Sequence, residues 1–146
     1  MLALAAEMTD GAHPYCVTPE HTAQARRILG PGKLLCPGAH GAARNRCRQG
    51  ARGARAPRSQ PTSSSRTTPN NWRRLGFTDD DLAGGGSNRF VDANVAWGDE
   101  GAIRERIQLF WDAGADHVCI QSIHPSGSRT IMDERIFDLL APAGAP

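Results

Sequence analysis

The chain has 146 residues, a net charge of +2 and 39% hydrophobic residues, which is the size and composition of one ordinary domain. Aromatic residues make up only 5% of it, whereas it holds 16 Gly and 10 Pro, so it can bury less surface than its length suggests. The basic residues are concentrated between Glu20 and Asp79, where no acidic residue occurs; this local asymmetry excludes a uniformly basic protein.

The first part of the chain predicts two helices on either side of a short strand. Leu2–Met8 is a helix-forming run, and Ala12–Val17 is typical of a strand buried on both faces, because its apolar residues do not alternate. The second helix begins with Thr18 as N-cap and Pro19 at its first position, and it ends at Gly30. We therefore expect a helix–strand–helix unit.

Residues 37–70 contain no Val, Ile, Leu, Met, Phe, Tyr or Trp. Such a stretch has little to bury against the conformational entropy that ordering costs. We expect it to be a disordered, low-complexity basic segment. The chain is accordingly divided into residues 1–36, 37–70 and 71–146.

The basic segment raises a second hypothesis for function. Seven Arg and no acidic residue lie between residues 38 and 68, so a non-catalytic chain could bind nucleic acid nonspecifically through phosphate contacts. The segment has no aromatic residue for base stacking. A shifted reading frame in GC-rich DNA also produces Arg, Ala, Gly and Pro without selection, so nucleic-acid binding is the less favoured interpretation.

Apolar residues return after residue 70. Asn71–Leu75 begin a helical segment, Thr78 is a candidate N-cap followed by three Asp residues, and Gly84–Gly86 break the chain. No phosphate-binding helix signature follows this glycine run, so we expect a flexible loop and not a nucleotide cradle. Phe90–Trp97 is then predicted to form a strand.

The last part of the chain predicts a strand–helix–strand–helix order. Asp99 can cap a helix whose apolar residues recur at helical spacing from Ile103 onward and which ends at Gly114. His117–Gln121 is predicted as the next strand, and Asp133 can cap a final helix. This order indicates a right-handed parallel strand–helix–strand unit.

Cysteines and targeting signals exclude several classes of protein. The four cysteines, Cys16, Cys36, Cys47 and Cys119, form no CxxC pair and no zinc-type spacing, so no metal site is predicted. The N-terminal residues lack a basic region and are too short to span a bilayer. We expect a cytoplasmic protein without a membrane partner.

Three segments resemble the C-terminal third of the luciferase-like monooxygenase family, especially oxidoreductases that depend on the deazaflavin coenzyme F420. They are AAEMTDGAHPYCVTPEHTAQARRILGPG, NNWRRLGFTDDDL and VAWGDEGAIRERIQLFWDAGADHVCIQ. Several linked segments in the same order are more specific than any one of them. The resemblance implies a (β/α)8 TIM barrel with its active site at the C-terminal ends of the strands, and hydride transfer between the coenzyme and a small-molecule substrate.

The resemblance also implies that this chain carries only the C-terminal part of the barrel. The strands that bind most of the coenzyme would lie upstream, so we expect an incomplete fold that lacks independent catalysis. FMN is the alternative cofactor, and a homo-oligomer is left open for the intact enzyme.

The basic segment departs from the family pattern in a way that a reading-frame error explains. Codons permitted for residues 38–52 read EHMVRLETDADKAR in a second frame, and those for residues 60–68 read TYLVLPNY in a third. Both outputs resemble what the family carries at this place. We therefore hypothesise that small frame errors, natural or from sequencing, replaced one strand and helix.

Candidate site residues follow the first and last predicted strands. His13, Tyr15 and Thr18 are candidate coenzyme-binding residues, and Gln121 and His124 are candidate substrate-pocket residues, because all five lie in or after the first and last predicted strands, toward the expected active-site face. The alternative for the first three is ordinary strand-end packing and a helix cap. No histidine near the last strand has a carboxylate at a spacing suited to acid–base work, so no catalytic residue is assigned.

Overall fold

The computed structural model describes residues 1–43, 67–124, 126 and 131–141. In these residues the helices are α1 (Leu2–Met8), α2 (Pro19–Leu29), α3 (Thr67–Arg74), α4 (Asp79–Leu82), α5 (Asn88–Asn94), α6 (Glu100–Asp112) and α7 (Arg135–Leu140). The strands are β1 (Gly11–Ala12), β2 (Leu34–Leu35), β3 (Gly38–Ala43), β4 (Val95–Gly98) and β5 (Cys119–Ser122). None of the described helices is long and apolar enough to cross a bilayer.

Three helices begin at the N-caps that the local sequence predicts. The Thr18 hydroxyl accepts a hydrogen bond from the backbone N–H of His21 at 3.4 Å. Thr78 forms a capping box with Asp81 at the start of α4, and the Asp99 carboxylate caps α6. These predictions are confirmed, and their physical cause is the set of backbone N–H groups that a first helical turn leaves unpaired.

Arg26 ties the end of α2 to the end of α6. Its Nε donates to the Gly114 carbonyl at 2.9 Å, and its Nη1 donates to the carbonyls of Gly30 at 3.0 Å and Lys33 at 2.8 Å. Its Nη2 pairs with the Asp116 carboxylate at 2.5 Å. Gly30 and Gly114 have φ angles of 76° and 92°, which glycine adopts without steric cost, so both helices end where predicted.

β3 lies at the centre of a three-stranded parallel sheet with the order β4-β3-β5. His40 of β3 pairs with Val95 on one side and with Gln121 on the other. β1 and β2 form a second parallel pair, and a single parallel bridge joins Tyr15 to Gly38. The predicted strand–helix–strand unit is therefore present, but β3 lies between its two strands. The described strands form open sheets, which is compatible with part of a barrel.

Helices cover both faces of this sheet. On one face, Ile103 of α6 and Ile136 of α7 are fully buried in a common apolar cluster. On the other face, Val91 of α5 packs against Ala42 of β3. Because side chains alternate along a strand, the face that holds Ala42 also holds His40.

Two predicted strands need correction. Of the strand expected over Ala12–Val17, only Ala12 lies in a strand, as the second residue of β1, and Tyr15 adds only an isolated bridge. The strand expected over Phe90–Trp97 is helical in its first half. Ser87 is the reason, because its hydroxyl accepts a hydrogen bond from the backbone N–H of Phe90 at 3.1 Å and caps α5.

The ends of the last two predicted elements also differ from the structure. The strand expected over His117–Gln121 is shifted by one or two residues and forms β5. Asp133 does not cap α7; Glu134 precedes that helix without a side-chain cap. The Asp133 carboxylate instead pairs with the Arg135 guanidinium at 2.7 Å, because that cation satisfies it more fully than one backbone N–H.

The prediction that residues 37–70 are disordered is wrong at both ends of this segment. Gly38–Ala43 forms β3, and Thr67–Arg74 forms α3. Small residues are sufficient in β3 because strands on both sides supply its backbone hydrogen bonds and much of its apolar surface. Residues 44–66, which form the remaining part of this basic segment, lie outside the described residues.

Candidate functional site

A cavity of about 410 Å³ lies beyond the carboxyl end of β1. The carboxyl ends of strands are the usual ligand sites of parallel α/β folds. Among the residues that the structure describes, none of those lining the cavity is Lys, Arg, Asp or Glu, so its walls are apolar, aromatic or polar without fixed side-chain charge. The lining residues are Met1, Leu2, Ala5, Ala12, His13, Pro14, Tyr15, Cys16, Val17, His21, Asn71 and Trp72.

Trp72 gives the cavity a firmly packed wall. Its ring meets Phe77 and Phe90 edge to face, with centroids 5.9 Å and 5.2 Å away, and only 4% of the residue is exposed. The guanidinium of Arg89 lies 4.7 Å from the centre of the Phe77 ring. Edge-to-face and cation–π contacts both restrict ring orientation, so this wall is preorganised.

Tyr15 connects the carboxyl ends of β1 and β5. Its hydroxyl donates to the Gln121 side-chain oxygen at 2.5 Å, and its ring lies edge-on to His40 with centroids 5.9 Å apart. Glycine at position 38 allows this approach, since a Cβ there would lie 3.2 Å from the Tyr15 ring. Two residues predicted separately, Tyr15 and Gln121, are therefore in direct contact.

Cys16 adds a sulfur atom to the same wall. Its Sγ lies 3.7 Å from Nδ1 of His40. Its backbone φ is 52°, a left-handed conformation that few residues other than glycine adopt. Backbone of this kind persists only where its surroundings determine it, and such residues are concentrated at ligand sites.

The other predicted site residues occupy different positions. His13 lines the cavity and donates from Nδ1 to the Cys36 carbonyl at 2.5 Å. Thr18 is buried and caps α2, so it does not line the cavity. His124 bonds through Nδ1 to the Ser126 hydroxyl at 2.8 Å and also lies outside the cavity wall.

His21 is a cavity residue that the sequence did not reveal. Only 9% of it is exposed, and its Nδ1 is buried with no hydrogen-bond partner among the described residues. Burial lowers the pKa of this imidazole, so the ring is neutral near pH 7. An unsatisfied buried polar atom costs about 1–3 kcal/mol, which makes it exceptional in a folded chain. The spacing of His21 from its cap, Thr18, predicts its place in the first turn but not the direction of its ring.

Three free thiols, Cys16, Cys36 and Cys119, lie among the described residues. Burial raises the pKa of the Cys36 thiol, and nearby Cys119 and Asp116 raise it further. In the described parts of the chain, no three His, Cys, Asp or Glu side chains are grouped closely enough to hold a metal ion. Cys36 is therefore a protonated thiol near pH 7.

Comparisons with known proteins point to one fold. No family model and no curated protein matches the chain. Among solved structures it is similar to an F420-dependent secondary alcohol dehydrogenase in complex with an F420-acetone adduct, with a TM-score of 0.51 and 11% sequence identity. The match covers 87% of this chain and 46% of that chain, so this chain spans about half the length of the protein it matches. At this identity the likeness shows the fold alone: parallel strands with helices, compatible with part of a TIM barrel.

Proposed function

We propose that the chain is part of an oxidoreductase that transfers a hydride between the deazaflavin coenzyme F420 and a small organic substrate. The support is a fold similar to that of an F420-dependent enzyme, together with a cavity at a strand end. In barrels of this type, the chemistry occurs at that end of the strands. FMN remains the alternative cofactor.

The contact between Tyr15 and Gln121 carries this proposal. It joins a proposed coenzyme-binding residue to a proposed substrate-pocket residue with a hydrogen bond of 2.5 Å. Hydride transfer requires coenzyme and substrate to be held in contact, because the two reacting atoms must approach closely. A side-chain bridge between two strand ends can hold both at one place.

The cavity fits the ring portion of such a coenzyme better than its phosphate. Tyr15 and Trp72 offer aromatic surface, whereas no Lys or Arg is among the described lining residues. Tyr15 and His13 would contact the ring, and Thr18 would act indirectly by fixing the start of α2. When bound, the coenzyme supplies the ring that accepts or donates the hydride.

The substrate would lie on the side of β5. Gln121 is exposed at the end of this strand and already accepts a hydrogen bond from Tyr15. His124 lies three residues farther along, where its imidazole could contact a substrate that extends from the cavity. Their proposed role is to bind and orient, and no proton transfer is assigned to either.

A fluorescence titration with purified F420 tests the proposal. Because most of the coenzyme-binding strands are expected to lie upstream, we expect weaker binding than a whole barrel would give, and we expect Tyr15→Ala to weaken it about tenfold further, equivalent to about 1.4 kcal/mol. Phe137→Ala is a matched control, because Phe137 is a half-exposed aromatic residue on α7 away from the cavity. Absence of detectable binding, or an equal loss in both variants, would contradict the proposal.

A further inference from the structure

His40 is the one member of strand β3 with a side chain larger than a methyl group, because the others are Gly or Ala. It lies in the central strand of the three-stranded sheet, in register with Gln121 of β5 on one side and Val95 of β4 on the other. Residues in register on neighbouring strands project from the same face of a sheet. His40 therefore shares a face with Gln121, the residue that accepts the hydrogen bond of the Tyr15 hydroxyl.

Two consecutive residues of the cavity wall contact the imidazole of His40. The ring of Tyr15 meets it edge to face, with centroids 5.9 Å apart, and Sγ of Cys16 lies 3.7 Å from its Nδ1 and 3.8 Å from its Nε2. Consecutive side chains of an extended chain point to opposite sides, so one group is not normally contacted by both. The φ of 52° at Cys16 breaks that alternation and allows both side chains to reach the same imidazole.

The contact with His40 restrains a side chain that is otherwise open to solvent. Tyr15 is 55% exposed, and exposed side chains change rotamer within nanoseconds unless a contact holds them. Among the described residues, those that line the cavity include Tyr15 and Cys16 but not His40. Any influence of His40 on a molecule in the cavity would therefore pass through these two neighbours.

We infer that His40 is a positioning residue, whose imidazole holds the ring of Tyr15 in the orientation that lets the hydroxyl reach Gln121. The inference deepens the proposed function, because it names the residue that fixes the bridge between the coenzyme side and the substrate side. It rests on that function only for the consequence that coenzyme and substrate are held together. The bridge itself requires no coenzyme.

Nuclear magnetic resonance of Tyr15 tests the inference without coenzyme. Tyr15 is the only tyrosine in the chain, so protein labelled with ¹³Cζ-tyrosine gives one resonance, and its position depends on the hydrogen bonding of the hydroxyl. Gln121→Ala defines the position for a broken bridge. We expect His40→Ala to move the resonance at least halfway to that position, and His40→Phe, which keeps a ring edge beside Tyr15, to leave it near that of the unmodified protein.

His117→Ala is the matched control, because His117 is an exposed histidine beside the same sheet. It should leave the Tyr15 resonance in place. An unchanged resonance in His40→Ala, or an equal movement in His117→Ala, would overturn the inference. A further measurement does not depend on the folding of any variant: the unmodified protein should show nuclear Overhauser effects between the ring protons of Tyr15 and His40, and their absence would also overturn it.

A coenzyme titration separates the inference from the proposed function. His40→Ala should weaken F420 binding about fivefold, the loss expected for one edge-to-face contact. The variant with both His40→Ala and Tyr15→Ala should bind no more weakly than Tyr15→Ala alone, because His40 acts through Tyr15. Additive losses would overturn the positioning role. If F420 did not bind but the resonance moved as expected, the proposed function alone would be contradicted.

Discussion

Strand β3 and helix α6 meet in the core, but they contribute to it in opposite ways. β3 consists of Gly and Ala apart from His40, whereas α6 inserts Ile103 and Phe110, which are 0% and 3% exposed. The strand thus provides a backbone with little bulk, and the surrounding helices and strands provide the volume. A central strand made of small residues is stable only if its neighbours fill the space above it.

This difference locates where the fold should be sensitive to mutation. Around α6, each large side chain fills a defined space and Arg26 holds the helix end to α2. Around β3, the close approach of other groups depends on glycine, as at Gly38 beside Tyr15. Removal of bulk should therefore damage the first region, and addition of bulk should damage a strand most where its glycine faces the backbone of a neighbouring strand.

The largest effect is expected from Ile103→Ala. This residue is fully buried between β4 and α7, so the substitution removes apolar contacts and leaves a cavity. We expect a loss of about 3 kcal/mol in the free energy of unfolding, measured with urea. Leu109→Ala is the matched control in the same helix, because Leu109 is 43% exposed. Equal losses of unfolding free energy in the two variants would show that α6 does not pack on the sheet through the face that holds Ile103.

Arg26→Ala should have the next largest effect. The variant leaves three carbonyl groups and the Asp116 carboxylate without their shared donor. Because the pair is partly exposed to solvent, we expect a loss of about 2 kcal/mol and not the sum of four hydrogen bonds. Arg27→Ala, on the exposed side of the same helix, should stay within about 0.5 kcal/mol of the parent protein. A loss at Arg27 as large as that at Arg26 would mean that helix propensity dominates.

The helix starts of this fold could be predicted from local sequence, whereas the pairing of its central strand depends on long-range packing. The caps Thr18, Thr78 and Asp99 act on backbone groups within three residues, so sequence alone locates them. β3 has no strand-like side chains, and its pairing with β4 and β5 joins residues far apart in the chain. Ser87 was a missed local signal, because an apolar run after it favoured a strand.

The candidate site divides in the same way. His13 and Tyr15 were predicted because they follow a strand, and both line the cavity. Their contacts with Cys36 and Gln121 depend on how separate strands meet, which no spacing in the sequence predicts. The sequence does not predict the role of His21, because its burial and its unsatisfied Nδ1 arise only when the cavity wall is assembled.

Two glycine-to-alanine substitutions test how the strands respond to added bulk. A Cβ on Gly11 would lie 2.2 Å from the backbone oxygen of Leu34, whereas a Cβ on Gly41 would lie 3.1 Å from a terminal methyl of Ile136. Backbone cannot move aside as a side chain can, so Gly11→Ala should separate β1 from β2 and cost about 1.5 kcal/mol. Gly41→Ala should change stability by less than about 0.5 kcal/mol, because alanine also favours the folded strand. The same urea titrations measure both; a greater loss at Gly41 would mean that the cluster around Ile136 cannot adjust.

The smallest effect is expected at Asp81, outside both regions. Hydrogen bonds from Ser87 and from the backbone of Thr78, together with the charge of the Arg89 guanidinium, lower the pKa of its carboxyl to about 2. A carboxyl with a lowered pKa in the folded state contributes stability above its unfolded pKa of about 4, and this contribution is lost as the pH falls toward 2. Asp81→Asn should therefore reduce stability at pH 7 and flatten its decline between about pH 4 and pH 2, as followed by urea titration at each pH. Asp80→Asn is the matched control, since Asp80 is exposed in the same helix. Of these two residues, Asp81 is the one that accepts hydrogen bonds from the cap residues of both α4 and α5. If Asp80→Asn reduced the loss of stability between about pH 4 and pH 2 equally, the cause would be general charge repulsion and not this hydrogen-bonded carboxylate.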